Sequence, residues 1–260
     1  MKKTIAFILA FSLIFCFASC AKVKPENPVN ESTTSAENNN SAEKKNDIGF
    51  LSVYTEKAYE YETYSEDYYY LTEINYQKLH LSEENKKEYP RLAKALDSLN
   101  ADKTEFYKNK AKELDEYASE QLDYYYEDGE QPTVYTANNE YFLQRADNVV
   151  LSIRSDADEF SGGSHPNYGY GGYNFDTVTG KELVITDVMT DISSLPAIIS
   201  EKINSKDEFA DGFFSSLEET LSEYTAEQFN WTIGYQGVTF CFSPYEIAPF
   251  AAGLITATVY

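Results

Sequence analysis

The stretch Ser161-Gly-Gly-Ser-His-Pro-Asn-Tyr-Gly-Tyr-Gly-Gly-Tyr-Asn-Phe-Asp176 decides how this chain folds. Gly162 and Gly163 allow the backbone a positive φ, while Pro166 fixes its own φ and biases His165 toward an extended conformation. Four aromatic side chains recur after the proline: Tyr168, Tyr170, Tyr173 and Phe175. The pattern predicts a tight glycine-rich loop that leads directly into a β-strand.

A second stretch of similar character lies near the end of the chain, Gly237-Val-Thr-Phe-Cys-Phe-Ser-Pro-Tyr-Glu-Ile-Ala-Pro-Phe-Ala-Ala-Gly253. Together the two stretches resemble a family of exported domains. That family includes the extracellular domain of the lysozyme-sensing anti-sigma factor RsiV and the non-catalytic domain of the peptidoglycan deacetylase PdaC. The resemblance covers residues 156–260, and Tyr89-Pro-Arg-Leu-Ala-Lys-Ala-Leu96 resembles the helical start of the companion domain.

Residues 1–19 are predicted to form a lipoprotein signal peptide. Met1-Lys-Lys3 is positively charged, and the apolar run that follows is too short to span a bilayer comfortably. Phe17-Ala-Ser-Cys20 looks like a lipoprotein cleavage motif, so we expect cleavage before Cys20 and acylation of that cysteine. Two acyl chains suffice for stable membrane anchoring. The alternative is an ordinary cleavage site with an incidental cysteine.

Residues 20–47 are predicted to form a disordered tether, because they are polar and hold almost no apolar side chains to bury. The rest of the chain is long enough to form a sizeable core. It could form one larger domain, but we expect two closely associated subdomains there. Residues 48–155 would form an N-terminal α+β subdomain similar to the PdaC companion domain, and residues 156–260 a C-terminal RsiV-like α+β subdomain.

The helical patterns are clear in two places. One begins at Ser82 and continues to Gly129, and Asn100-Ala-Asp102 is expected to divide it. Its face is marked by Leu92, Leu96, Leu99, Phe106, Lys110, Leu114, Tyr117, Gln121 and Tyr125. The other follows Ser194, which is predicted to cap a helix that ends at Ile203.

Strand patterns surround these helices. Asn138-Asn139 is expected to form the turn of one hairpin and Gln236-Gly237 the turn of another. The mixture of hairpins and helices predicts an α+β fold with a mixed or antiparallel sheet and packed helices.

The chain is strongly acidic, with 43 acidic and 21 basic residues and a net charge of −22. Repulsion from phosphate groups therefore disfavours nucleic acid and anionic membrane surfaces as partners, so membrane contact is expected through the lipid anchor only. A cationic envelope or host protein is favoured. The alternative is that the charge serves solubility alone.

The sequence offers little for catalysis. A catalytic metal site needs about three protein ligands, and the two histidines, His80 and His165, lie far apart. Ser164 adjoins His165, but neighbouring residues point apart. Cys241 has no disulfide partner in the mature chain and is expected to be a buried small side chain rather than a reactive thiol. We predict no catalytic residue, metal or cofactor; an envelope hydrolase with paired carboxylates is the open alternative.

The two glycine- and proline-rich stretches are expected to form a preorganised rim that contacts a partner. The candidate partner-binding residues are Gly162, Gly163, His165, Pro166, Pro244, Tyr245, Glu246, Pro249 and Phe250. The alternative for His165 is a structural role in which its ring bonds to nearby backbone.

The resemblance implies a surface lipoprotein on the outer face of a bacterial cell membrane whose ectodomain binds a protein, with C-type lysozyme as the leading candidate. Only Lys2 and Lys3 precede the hydrophobic segment. We therefore expect a decoy, inhibitor or sensor rather than an anti-sigma factor. The alternative function is non-catalytic binding of peptidoglycan or another glycan, with tyrosines and Trp231 stacking on sugar rings.

Overall fold

The structure is a computed structural model that describes residues 49–64, 70–128, 132–206, 212–213 and 216–260. These residues all belong to one compact unit, Asn46–Tyr260. The predicted signal peptide, Cys20 and the tether lie outside the described residues. Among the helices that are described, none combines the length and the apolar composition that a membrane span needs.

The described residues form strands and helices in an α+β arrangement, as predicted. The strands are β1 Val53–Tyr64, β2 Tyr70–Leu81, β3 Tyr135–Ala146, β4 Val150–Phe160, β5 Asn167–Asp176, β6 Trp231–Gly234, β7 Gly237–Phe242 and β8 Ile255–Val259. The helices are α1 Glu83–Glu88, α2 Pro90–Asp128, α3 Ile185–Val188, α4 Leu195–Asn204 and α5 Leu217–Ser222.

The larger sheet contains β1 to β5 in chain order. β2 and β3 are parallel, and the other neighbouring pairs are antiparallel. A parallel pair needs a crossover connection, which α1 and α2 provide. The long helix α2 packs on one face of the sheet through buried apolar side chains, among them Leu92, Leu96, Tyr107, Leu114, Ile74, Tyr76, Ala137 and Ile153.

The helical region begins as predicted but is not divided where predicted. Ser82 caps α1, because its Oγ accepts a hydrogen bond from Asn85 N at 3.2 Å. α2 runs without interruption through Asn100-Ala-Asp102, so the predicted division is wrong. Asn100 Nδ2 donates to Leu79 O and its Oδ1 accepts from Leu79 N, both at 2.9 Å. These bonds to β2 satisfy the buried amide without a break in the helix.

The predicted buried face of α2 is confirmed at Leu92, Leu96 and Leu114 but is wrong at Phe106 and Tyr117. Phe106 and Tyr117 are both 43% exposed, whereas Tyr107 and Ala118 are buried. The spacing of large apolar residues favoured the first pair, but contact with the sheet decides which residues are buried.

β3 continues through Asn138-Asn139, so the predicted hairpin turn is wrong. Asn138 Nδ2 donates to Asp158 Oδ2 at 2.9 Å, and its Oδ1 accepts from Asn75 Nδ2 at 3.2 Å. Asn139 Nδ2 donates to Ser155 Oγ at 2.7 Å. The two amides therefore bond to neighbouring strands instead of stabilising a turn.

The smaller sheet is antiparallel and contains β6, β7 and β8. The predicted turn at Gln236-Gly237 is confirmed, and Gly237 has a φ of 130° that suits glycine. α4 is also confirmed, but Ser194 makes no side-chain capping bond. This part of the chain has its own core, which includes Ile185, Leu195, Ile199, Leu217, Leu221, Trp231, Phe240, Phe242 and Ile255.

The predicted subdomain boundary between residues 155 and 156 falls inside β4. β5 pairs with β4 along its length and completes the sheet that begins with β1. The residues of the smaller sheet and its helices follow β5 in the chain.

The two sheets meet where β6 passes directly over Gly172. A Cβ at Gly172 would lie only 1.8 Å from Trp231 O, so a side chain cannot be accommodated there. Ser152 Oγ accepts from Ile233 N at 2.8 Å and donates to Asn174 Oδ1 at 2.7 Å. Asn174 Nδ2 in turn donates to Trp231 O at 2.9 Å. Two buried polar side chains thus satisfy the backbone of β6 at the crossing.

We predict that Gly172→Ala lowers the free energy of unfolding by about 3 kcal/mol or more, because the new methyl group would overlap the backbone of β6. Chemical denaturation followed by circular dichroism measures the change. Gly171→Ala is the matched control, since a Cβ there would meet nothing closer than Asn230 Oδ1 at 3.9 Å. Equal losses for the two variants would contradict a specific requirement at Gly172.

Candidate functional site

The two sequence stretches that define the candidate site meet in space. His165, in the loop before β5, stacks on Phe250 with ring centroids 3.7 Å apart and an interplanar angle of 16°. His165 Nε2 also lies 3.2 Å from the hydroxyl of Tyr245. Tyr168 extends the group, with its ring centroid 5.9 Å from that of Phe250. We call His165, Tyr168, Tyr245 and Phe250 the aromatic cluster.

The glycines of the first loop adopt the predicted backbone. Gly162 and Gly163 have φ values of 98° and 94°. Such values are readily available to glycine, and they allow the chain to turn sharply between β4 and β5. The loop then presents His165, whose Nδ1 lies 3.0 Å from Pro166 O. The predicted bond between the ring and nearby backbone is therefore present together with the aromatic contacts.

The second loop follows β7 and is held at several points. Tyr245 has a φ of 67°, an uncommon conformation for a residue with a side chain, and its N donates to Ala248 O at 3.0 Å. Ser243 Oγ accepts from Tyr170 N at 3.0 Å, which ties the start of the loop to β5. These constraints fix a tyrosine that is 54% exposed.

The partly buried carboxylate of Glu246 holds the second loop through two hydrogen bonds. Its Oε2 accepts from Ser243 N at 2.8 Å, and its Oε1 accepts from the Tyr224 hydroxyl at 3.2 Å. Burial raises the pKa of the Glu246 carboxyl although both hydrogen bonds oppose the shift. Burial and the nearby Glu246 carboxylate raise the pKa of Tyr224. Glu246, a predicted contact residue, therefore positions the loop.

Three prolines lie beside the aromatic cluster in the two loops. Pro249 is exposed, while Pro166 and Pro244 are partly exposed. Stacked rings flanked by prolines offer apolar contact area with few rotatable bonds, and the tyrosine hydroxyls add polar tips. An arrangement of this kind suits contact with another molecule.

Other sequence-based expectations have different outcomes. Cys241 is buried as predicted, and burial raises the pKa of its thiol to about 11. Trp231 is only 6% exposed and lies in the core, so the expected stacking of this ring on a sugar is wrong. The two histidines lie in different surroundings: His80 stacks on Tyr54, whereas His165 stacks on Phe250.

The sequence did not single out Tyr168 and Ser243 as parts of the site. The alternating pattern marks Tyr168 only as a strand residue, although it lies two residues beyond Pro166. Ser243 carries no distinctive pattern, and its role depends on a contact with Tyr170, 73 residues earlier in the chain.

Comparison with known proteins finds one family match, in the C-terminal part of the chain. Residues 184–260 match the model of a family described as "Protein of unknown function (DUF3298)". The match includes the second loop but begins after the first. No curated protein matches the chain.

The chain is also similar to solved structures. The crystal structure of a DUF3298 family member from Bacteroides fragilis aligns with a TM-score of 0.59 at 18% identity, over 81% of this chain and 90% of that one. A DUF3298 family protein from Pseudomonas aeruginosa PAO1 aligns with a TM-score of 0.48 at 15% identity, over 80% of this chain and 89% of that one. At 18% identity the first likeness establishes a shared fold. The more specific resemblance to RsiV and PdaC stays a prediction.

We predict that Glu246 makes stability fall as pH rises. Burial raises its pKa in the folded state above the ordinary value of 4.5, so the folded state binds more protons than the unfolded state between the two pKa values. The stabilisation is complete below the unfolded pKa and is lost as pH rises through the folded pKa. Glu246→Gln cannot ionise, so its stability relative to the wild type should increase as pH rises above the unfolded pKa of Glu246.

Urea denaturation at several pH values tests this expectation. Glu201→Gln, which changes an exposed carboxyl group on α4, is the control and should show a smaller relative change. A difference between wild type and Glu246→Gln that does not vary with pH would contradict the prediction.

Proposed function

We propose that this protein is a membrane-anchored surface lipoprotein whose ectodomain binds a basic protein at the cell envelope through the aromatic cluster. The observation that carries the proposal is the contact between His165 and Tyr245, which are 80 residues apart in sequence. Two loops rich in glycine and proline thereby form one surface. We propose no catalytic role for it.

The cluster has the properties of a binding anchor. Its rings are already packed on one another, and internal hydrogen bonds fix the second loop. Binding would therefore order few additional side chains. Aromatic residues contribute a large share of the binding energy at protein interfaces, especially when the surrounding loop is rigid.

Charge next to the cluster favours a basic partner. Asp158 lies opposite Tyr168 in the β4–β5 ladder and accepts from the neutral amide of Asn138, so it keeps its negative charge, whereas Asp156, opposite Tyr170, is paired with Arg154. The whole chain carries a net charge of −22. A field of this sign speeds the approach of cationic proteins and opposes that of anionic ones.

The sequence resemblance makes C-type lysozyme the first partner to test. Lysozymes of this type are basic, which agrees with the charge of this chain. In this proposal Cys20 anchors the protein on the outer face of a bacterial membrane, and the ectodomain acts as a decoy, inhibitor or sensor.

We predict that the protein binds hen egg-white lysozyme with a Kd in the nanomolar to micromolar range, measured by isothermal titration calorimetry. Tyr245→Ala and Phe250→Ala should each weaken binding about tenfold or more, because each removes an aromatic anchor. Higher salt should weaken binding as well, since charges contribute to association.

Tyr235→Ala is the matched control. Tyr235 is 59% exposed, similar to Tyr245, but lies in the turn between β6 and β7. Its removal should leave the affinity unchanged. No detectable binding, or equal losses for Tyr235→Ala and Tyr245→Ala, would refute the assignment of the aromatic cluster as a lysozyme-binding surface.

A further inference from the structure

A groove on the sheet face opposite α2 forms a second candidate site. It has a volume of about 630 Å³, which lies within the range of ligand-binding clefts. Its lining comes from all five strands and includes Tyr59, Asn75, Gln77, Asn138, Asp158 and Tyr168. We call this feature the sheet groove.

The groove lies where β2 and β3 diverge and stop pairing. These strands pair only from Thr72 to Asn75 on β2 and from Tyr135 to Asn138 on β3. Beyond this point Gln77 Oε1 accepts from Tyr141 N at 2.8 Å, in place of a backbone ladder bond. The short parallel register therefore creates the space.

One row of side chains crosses this face from strand to strand. The pairing register places the five members opposite one another on β1 to β5: Tyr59, Asn75, Asn138, Asp158 and Tyr168. Asn75 Nδ2 donates to Asn138 Oδ1, and Asn138 Nδ2 donates to Asp158 Oδ2. Because neighbouring strands lie about 4.8 Å apart, the row is about 19 Å long and has a tyrosine at each end.

The exposed tyrosines offer ring faces at these ends. Tyr59 is 67% exposed and Tyr168 is 40% exposed. The faces of sugar rings carry C–H groups, which pack well on aromatic rings. Asn75 uses both of its N–H groups within the protein and keeps Oδ1 as an acceptor, whereas Gln77 uses Oε1 and keeps Nε2 as a donor. Together the two amides can therefore accept from and donate to sugar hydroxyl groups.

Most groove carboxylates already have a donor within the protein. Arg154 donates two bonds to Asp156, at 2.7 and 2.8 Å. Asn75 donates to Glu73 at 2.7 Å, and Asp158 is bonded within the row. The lining is therefore better suited to a neutral ligand with many hydroxyl groups than to a bare cation. The remaining negative charge would repel an anionic chain.

An extended peptide fits this site less well. Peptides gain affinity on sheets mainly by adding a strand to free backbone groups. Where β2 and β3 diverge, side chains already bond to the backbone groups that a peptide strand would need. Gln77 accepts from Tyr141 N, and Asn100 bonds to both N and O of Leu79.

We propose that the sheet groove binds a glycan chain of neutral sugar units. Tyr59 and Tyr168 stack on sugar rings at its two ends, and the amides of Asn75, Gln77 and Asn138 bond to hydroxyl groups between them. This site goes beyond the proposed protein-binding function. Only Tyr168 belongs to both surfaces.

Isothermal titration calorimetry on the full chain tests the proposal with separate probes. The neutral probes are tetrasaccharides of β-linked glucose, N-acetylglucosamine and mannose. Tetragalacturonate is the anionic probe and tetralysine the peptide probe. At least one neutral tetrasaccharide should bind with a Kd tighter than about 1 mM, and tetragalacturonate should not bind.

Variants then locate the bound sugar. Tyr59→Leu and Tyr168→Leu should each weaken binding about three- to tenfold, whereas Tyr59→Phe keeps the ring and should bind nearly as the wild type does. Tyr54→Leu is the matched control, because Tyr54 lies on the same strand but stacks on His80 outside the groove.

Tyr245→Ala separates this proposal from the previous one, since it alters the aromatic cluster and should leave sugar binding unchanged. The proposal is overturned if no neutral tetrasaccharide binds, if tetralysine alone binds, or if binding is insensitive to Tyr59→Leu.

Discussion

The close passage of β6 over Gly172 is the constraint on which the rest of the structure depends. It brings a backbone carbonyl to a position that any side chain at residue 172 would occupy. Ser152 and Asn174 satisfy the backbone of β6 there, although both are almost completely buried. The crossing therefore joins two sheets that have separate apolar cores, and a hydrogen-bonded polar pair fixes how they meet.

Both proposed surfaces follow from this arrangement. Since β6 is held against β5, the chain that leaves β7 reaches the start of β5, where Ser243 bonds to Tyr170. The two loops then stack through His165 and Phe250. The helix α2 covers one face of the large sheet, and the row of polar and aromatic side chains lies on the other. Apolar packing on one face thus leaves hydrogen-bonding groups on the opposite one available to a ligand.

Much of the fold could be predicted from local patterns. The strand after Pro166, the turn at Gly237 and the start of α1 at Ser82 depend on backbone preferences that neighbouring residues determine. The predictions that failed concern asparagine. Asn100 and Asn138-Asn139 are typical of helix ends and turns, but here their side-chain NH₂ groups donate hydrogen bonds to strands distant in sequence. A single sequence does not show which of these partners an amide will have.

The sequence by itself determined the chemistry of the candidate surface: glycines that permit a sharp loop, prolines that stiffen it, aromatic rings, and a strongly acidic chain. These are properties of residues and their immediate neighbours. Only the tertiary structure decided that His165 stacks on Phe250, that Glu246 points inward to Tyr224, and that Trp231 is buried. It alone produced the sheet groove, because a row that takes one side chain from each of five strands depends on strand order and register, which local preferences leave undetermined.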